Sequence, residues 1–232
     1  MGRKRATGSR ALCRQGISWL QLASLVALLP LRHQAGADLA ATVAGLQARY
    51  AGVESVSADF EQTYRGPGVL QREAGVFYMK KPGLMRWEYR SPAVKLFVAD
   101  GRTSYLYMPE ERQVLVSPLT DEELRSTPLQ FLLGRGRIME SFAVSWETEL
   151  EPAAGGTVLL RLVPRSPEPS YAYVVLECDR ATYDLRRVVI RESTGHTSEF
   201  LLANLRTNVR IDGGKFRFKI PSGVEVVRLE VK

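Results

Sequence analysis

The sequence predicts a mainly β protein, an open or closed antiparallel barrel of about a dozen short strands with helices on one side. Three observations predict it. Apolar residues recur with a period of two through most of the chain, strands follow one another across short turns, and no strand-helix-strand alternation marks a parallel sheet. The stretch from Gly75 to Tyr89 shows the pattern most clearly. Phe77 and Met79 fall on one face and Tyr78 on the other; beyond a basic corner at Lys80-Lys81-Pro82, Met85, Trp87 and Tyr89 alternate with Leu84, Arg86 and Glu88. One face is aromatic and soft, the other charged. So bulky an apolar face has to be buried against protein, a lid or a ligand.

The first segment reads as an address. Residues 1–37 hold six basic residues and no acidic one, and ISWLQLASLVALLPL runs apolar between Arg14 and Arg32. Ala35-Gly36-Ala37 supplies the small-residue cleavage pattern of a secretory signal. Export is expected, with cleavage after Ala37 and residues 38–232 forming one domain. Cys13 precedes the apolar run instead of following it, so lipidation of the protein itself is not expected.

Removing residues 1–37 takes six of the 32 Lys and Arg and none of the 25 Asp and Glu, which lowers the formal charge from +7 to +1. The concentrated basic face that nucleic-acid binding needs is then missing. Cys178 and His196 are the one cysteine and one histidine left, too few for a zinc site of those residues and for an intramolecular disulfide. Cys178 follows the apolar run Tyr171 to Leu176 and reads as a small buried hydrophobe, while His196 lies in a hairpin turn.

Taken in order, Asp38 is placed to cap a helix whose stripe is Leu39, Val43, Leu46 and Tyr50 and whose end falls near Gly52. Strands are expected from Ser55 to Tyr64, up to Met79, from Leu84 to Tyr89, Val94 to Ala99, Thr103 to Tyr107 and Gln113 to Val116. Thr120-Asp121-Glu122-Glu123 fits a capping box and Thr127-Pro128 a second helix start, followed by Leu129, Phe131, Leu132 and Leu133 before Gly134. Two short helices are thus expected inside a sheet protein, either as a plug or as a lid over the apolar face. Further strands are expected at Phe142 to Glu147, Val158 to Val163, Tyr171 to Glu177, Leu185 to Arg191, Thr197 to Leu205, Phe216 to Ile220 and Val224 to Val231, with Pro164 to Ser170 a stiff loop.

Catalytic signatures are lacking. The chain has no nucleophile elbow, zinc-protease helix, P-loop or dinucleotide glycine fingerprint. Glu110-Glu111 and Asp121-Glu122-Glu123 sit at a turn and a helix start, where acidic residues are common anyway. No enzyme activity, cofactor or metal is expected.

Several fragments, in order, resemble the LolA family of periplasmic lipoprotein carriers. They are Ala58-Asp59-Phe60-Glu61-Gln62, Gly75 to Met79 with Lys81-Pro82, Met85-Arg86-Trp87-Glu88-Tyr89 with Ser91-Pro92, Val98-Ala99-Asp100-Gly101, Tyr105-Leu106-Tyr107, Thr127-Pro128 with Leu132-Leu133, Phe216-Arg217-Phe218 and Pro221-Ser222-Gly223-Val224. The resemblance implies an incomplete antiparallel barrel of about eleven strands, whose concave apolar face is covered by the N-terminal helix and a short helical insertion. It implies a monomer in the periplasm that shields the acyl chains of lipoproteins, with an inner-membrane ABC-type release complex upstream and an outer-membrane lipoprotein receptor downstream.

The acyl-chain lining implied is Phe60, Phe77, Met79, Met85, Trp87, Tyr89, Phe97, Tyr105 and Tyr107; the lid residues are Leu39, Val43, Leu46, Tyr50, Leu129, Leu132 and Leu133. In studied relatives an arginine before the corner proline helps latch the lid. Here that position is Lys81, a point donor in place of a planar fork, so the latch falls to Lys81, to Arg86 or to another residue. Three alternatives stay open: a similar carrier of another lipid or glycolipid, an envelope lipid-sensing regulatory domain, and a secreted enzyme, which would need polar groups converging in the cavity.

Overall fold

Twelve strands form one open sheet in a computed structural model that describes residues 31–119, 137–166 and 171–229. Residues 38–232 make one compact unit and residues 1–37 another. After helix α1 (Leu31–Ala51) come β1 (Ser55–Gly66), β2 (Val69–Lys80), β3 (Leu84–Ser91), β4 (Lys95–Asp100), β5 (Thr103–Met108) and β6 (Gln113–Pro118). A single helical turn, α2 (Ile138–Ser141), leads into β7 (Phe142–Trp146), β8 (Thr157–Pro164), β9 (Tyr171–Asp179), β10 (Leu185–Glu192) and β11 (Thr197–Thr207). A 3₁₀ turn (Gly213–Phe216) and β12 (Glu225–Arg228) follow. The spatial order is β12-β6-β5-β4-β3-β2-β1-β11-β10-β9-β8-β7. All neighbours pair antiparallel except β12, which runs parallel to β6.

Alternation gives this sheet two different faces. The inner face carries Val56, Ala58 and Phe60 on β1, Leu160 and Leu162 on β8, Val174 and Leu176 on β9 and Val188 on β10, all buried in one core with Val43, Leu46 and Tyr50 of α1. The stripe expected from sequence is therefore the face by which α1 docks. Gly45 lets the helix approach closely, since a Cβ there would lie 2.3 Å from the Tyr183 ring. Asp38 is not a cap: the helix starts upstream at Leu31 and runs through it.

The outer face needs two covers of its own. Over β2–β6 lies the arm after β11, whose Phe216 is buried and whose Phe218 ring sits 5.3 Å and 5.7 Å from Tyr105 and Tyr107. The strand expected at Phe216 to Ile220 does not form. Phe216 instead closes a 3₁₀ turn, with the Asp212 carboxylate accepting from Gly214 N at 2.6 Å, and its ring packs onto the sheet in place of backbone pairing. β12 forms within the last expected strand, whose final residues lie outside the described ones.

Over β8–β10 the outer cover is ionic. Arg187 lies 2.7 Å from Glu177 and 3.2 Å from Glu199, while Glu177 also accepts from Ala153 N at 2.9 Å and Thr157 Oγ1 at 2.6 Å. Arg161 bridges Glu147 at 2.7 Å and Glu149 at 2.8 Å, with its guanidinium 4.3 Å from the centre of the Tyr173 ring. Burial alone would raise the Glu147 carboxyl, but the Arg161 hydrogen bond and charge outweigh it and hold it below the usual carboxylate range. A depressed folded-state pKa stabilises the protein fully above the unfolded value, and that contribution fades as pH falls through the folded value.

Two outcomes follow for stability. Phe216→Ala should lower unfolding free energy by about 3–4 kcal/mol, read by urea denaturation. Acidification from neutral pH to below the ordinary glutamate range, about 4.3, should destabilise wild type more than Glu147→Gln; parallel pH profiles would show that the Glu147 pair carries no such linkage.

Candidate functional site

The aromatic stripe read around Gly75 to Tyr89 is a continuous ring cluster on the inner face. Phe77 pairs with Trp87 across β2 and β3, and Trp87 with Phe97 across β3 and β4, so the three share a face. Phe77 and Trp87 stack with centroids 4.9 Å apart; Phe60 meets Trp87 edge-on at 4.9 Å and Tyr89 at 5.1 Å, and Phe200 stands 5.5 Å from Trp87. Gly75 makes this possible. A Cβ there would lie 2.0 Å from the Glu88 carbonyl oxygen and 3.0 Å from the Phe60 ring, so only a bare backbone lets Phe60 and Tyr89 meet across β2.

Burial across this face is graded. Phe60, Phe77 and Met79 are 2%, 6% and 4% exposed, whereas Met85, Trp87, Tyr89 and Phe97 are half-buried. The register continues the face through Leu106 of β5 and Leu115 of β6, also half-buried. Leu106, Leu115 and, on β11, Phe200 and Leu202 are not among the lining residues that the sequence points to, although counting twos outward from Phe60 and Phe97 reaches them once the strand partners are known. Tyr105 and Tyr107 do not join the cluster. They pair with Val98 and Leu96, one residue out of phase with Phe97, and so stand on the outer face against Phe218.

Of the expected lid, Val43, Leu46 and Tyr50 are buried against the inner face and Leu39 packs beside them. Leu129, Leu132 and Leu133, with the whole expected insertion from Thr120 to Gly134, lie outside the described residues. The end of α1 is held at three places. Lys81 Nζ donates to the Tyr50 carbonyl at 3.0 Å, which also accepts from Val53 N, and to the Ala51 carbonyl at 3.3 Å, a cation placed at the C-terminal end of the helix. Arg49 bridges Asp184 at 2.8 Å. The Tyr50 hydroxyl accepts from Leu185 N at 3.0 Å, and burial pushes its pKa up to about 12 against the pull of that bond.

Arg86 is not at the lid. Alternation turns it outward, where it donates to Glu88 at 2.7 Å and to the Lys215 carbonyl at 2.9 Å, fastening the C-terminal arm to β3.

Cys178 is buried opposite Leu185 at the start of β10, and burial pushes its thiol up to about 11. His196 lies past the far end of β10, stacked at 5.4 Å on Tyr64, so the eight-residue strand separates the two by roughly 23 Å. No metal-binding cluster occurs among the described residues. A cleft of about 500 Å³ is lined by Asp59, Phe60, Gly75, Val76, Arg90 and Leu202, so it reaches Phe60 of the aromatic cluster.

Comparison with known proteins gives the wider setting. Residues 51–219 match the sequence model of a family described as outer membrane lipoprotein carrier protein LolA. A protein of Hahella chejuensis named outer-membrane lipoprotein carrier protein is 30% identical over 210 residues, covering 88% of this chain and 98% of that protein. A Bordetella avium protein of the same name is 32% identical over 187 residues, covering 79% and 86%. Among solved structures, an uncharacterized conserved protein from Thermus thermophilus shares the fold with a TM-score of 0.50 at 14% identity, over 82% of this chain and 98% of that one.

If Lys81 closes the end of α1, Lys81→Met should speed amide exchange over residues 46–51 and cost about 1 kcal/mol of stability, with strand exchange unchanged. Unaltered helix exchange would mean that Arg49 and Tyr50 hold the helix alone.

Proposed function

The chain belongs to the LolA family of outer membrane lipoprotein carrier proteins, and on that premise we propose that it shields the acyl chains of lipoproteins leaving the inner membrane and delivers them across the periplasm to the outer membrane. The supporting observation is the apolar face that runs from buried Phe60 and Phe77 through half-buried Trp87 and Phe97 to Leu115. Each methylene kept from water is worth about 0.8 kcal/mol, so one chain of roughly sixteen carbons costs on the order of 12 kcal/mol to expose. A carrier therefore needs a broad apolar surface, and to give its cargo up it must not enclose it rigidly. Met79, Met85 and flat rings supply adaptable contacts.

In this reading residues 1–37 direct export and are removed after Ala37. An inner-membrane ABC-type complex loads the carrier and an outer-membrane receptor empties it. Lys81 acts as the latch of α1: its bonds to the Tyr50 and Ala51 carbonyls connect the helix to the β2–β3 corner, beside Met79 and Met85 of the aromatic face. No covalent step is involved.

Full-length protein exported to a periplasm and purified without detergent should carry lipid-modified protein, identified by mass spectrometry. Recovery of free phospholipid or glycolipid alone would transfer the reading to a lipid carrier, and a protein that also binds no acyl probe would overturn both. Lys81→Ala should shed bound lipoprotein several-fold faster than wild type, with Lys81→Arg restoring retention; equal retention by all three would reject the latch.

A further inference from the structure

The inner face is apolar along most of β1–β4, but at the end away from Lys81 four polar side chains meet on it. Gln62 and Glu73 are direct partners across β1 and β2, and Tyr89 and Lys95 across β3 and β4. Gly75 leaves the gap through which the Tyr89 hydroxyl reaches Gln62 Oε1 at 3.3 Å. Lys95 donates to the Glu73 carboxylate while its ammonium lies 4.7 Å from the centre of the Tyr89 ring. All four are half-buried.

Such a cluster is costly to keep beside an aromatic floor unless its hydrogen-bonding capacity is used. Its internal bonds use the capacity incompletely. Lys95 gives one of its three N–H groups to Glu73, and the side-chain amide N–H₂ of Gln62 has no protein partner among the described residues. The unused donors are those of Gln62 and Lys95, beside spare acceptor capacity on the Glu73 carboxylate, and they border the strip that begins at Phe60 and the Phe77–Trp87 stack. Along half-buried β3, from Tyr89 to Met85, that strip is roughly 13 Å long at about 3.3 Å per residue, near the ~15 Å that one acyl layer occupies in half a bilayer core.

Resting on the carrier reading above, we propose that Gln62 and Lys95 receive the ester and amide carbonyls through which acyl chains join the N-terminus of a lipoprotein, so that the cargo lies with its polar head at this end and its chains pointing toward Lys81. The apolar face supplies the affinity for hydrocarbon. The polar pair supplies orientation and distinguishes an acylated peptide from bare hydrocarbon, because a carbonyl accepts these donors and a methylene cannot.

The test compares three probes by fluorescence titration: a tripalmitoylated cysteinyl peptide, a pyrene-labelled alkane of similar length without carbonyls, and a dipalmitoyl phosphatidylglycerol. Lys95→Met and Gln62→Leu, each checked for an unchanged circular dichroism spectrum and melting temperature, should weaken the peptide about ten-fold and the alkane less than two-fold. Equal loss of both, or loss of neither, in whichever variant keeps the native spectrum overturns the proposal. Carbonyl-dependent binding of the phospholipid with no binding of the peptide would keep the polar subsite but replace the cargo. Failure of wild type to bind any of the three would overturn the carrier reading, and the subsite with it.

Discussion

A single open sheet with apolar residues on both sides has to be covered twice, and the chain on either side of the strands is arranged to do so. The period of two in a strand sends alternate residues to opposite faces, so a sequence as apolar as that of β2–β4 cannot leave either face to water. On the inner side α1 meets the demand with Val43, Leu46 and Tyr50. On the outer side the arm bearing Phe216 and Phe218 meets it over β2–β6, and salt-bridged carboxylates and arginines meet it over β8–β10. The two outer covers differ in chemistry because their strands do. Val76, Val98 and Val114 need an apolar partner, whereas Arg161 needs Glu147 and Arg187 needs Glu177.

This division explains how much could be read from sequence. Strand existence was legible almost everywhere, because alternation of bulky and small or charged residues survives without knowledge of partners. The faces were legible only where phase runs unbroken. Arg86 lies within the same alternating stretch as Trp87, and its outward direction could be counted from there. Tyr105 and Tyr107 could not be placed, since two turns intervene and only the pairing of Phe97 with Leu106 fixes their phase. Phe216 and Phe218 carry a strand-like spacing but no strand: the one-sided need of the outer face for a plug outweighs local propensity, and nothing in the local sequence records that need. Lys81 was legible as a candidate through its place before Pro82, yet its partners are backbone carbonyls of α1, which no side-chain pattern announces.

The aromatic face combines two properties that usually oppose one another. Where α1 lies on it, Phe60 and Phe77 are as buried as any core residue; a strand or two away, Trp87 and Phe97 are only half covered. A gradient of burial within one ring cluster means that part of the apolar surface belongs to the stability of the fold and part is left over for something else. Because Phe60 touches both Trp87 and Tyr89, the two parts are mechanically continuous. Anything seated on the open part also presses on the closed part.

The pairing of β1 with β11, in which Val56 lies opposite Thr207, sets the order in which the molecule can be made. The first strand is an edge until the eleventh arrives, and about 150 residues separate them, so this central seam belongs to the high-contact-order class that folds slowly. A nascent chain emerging from its amino end leaves one edge of β1 unpaired until β11 exists. Completion of the sheet therefore waits on nearly the whole chain, however early its first hairpins form.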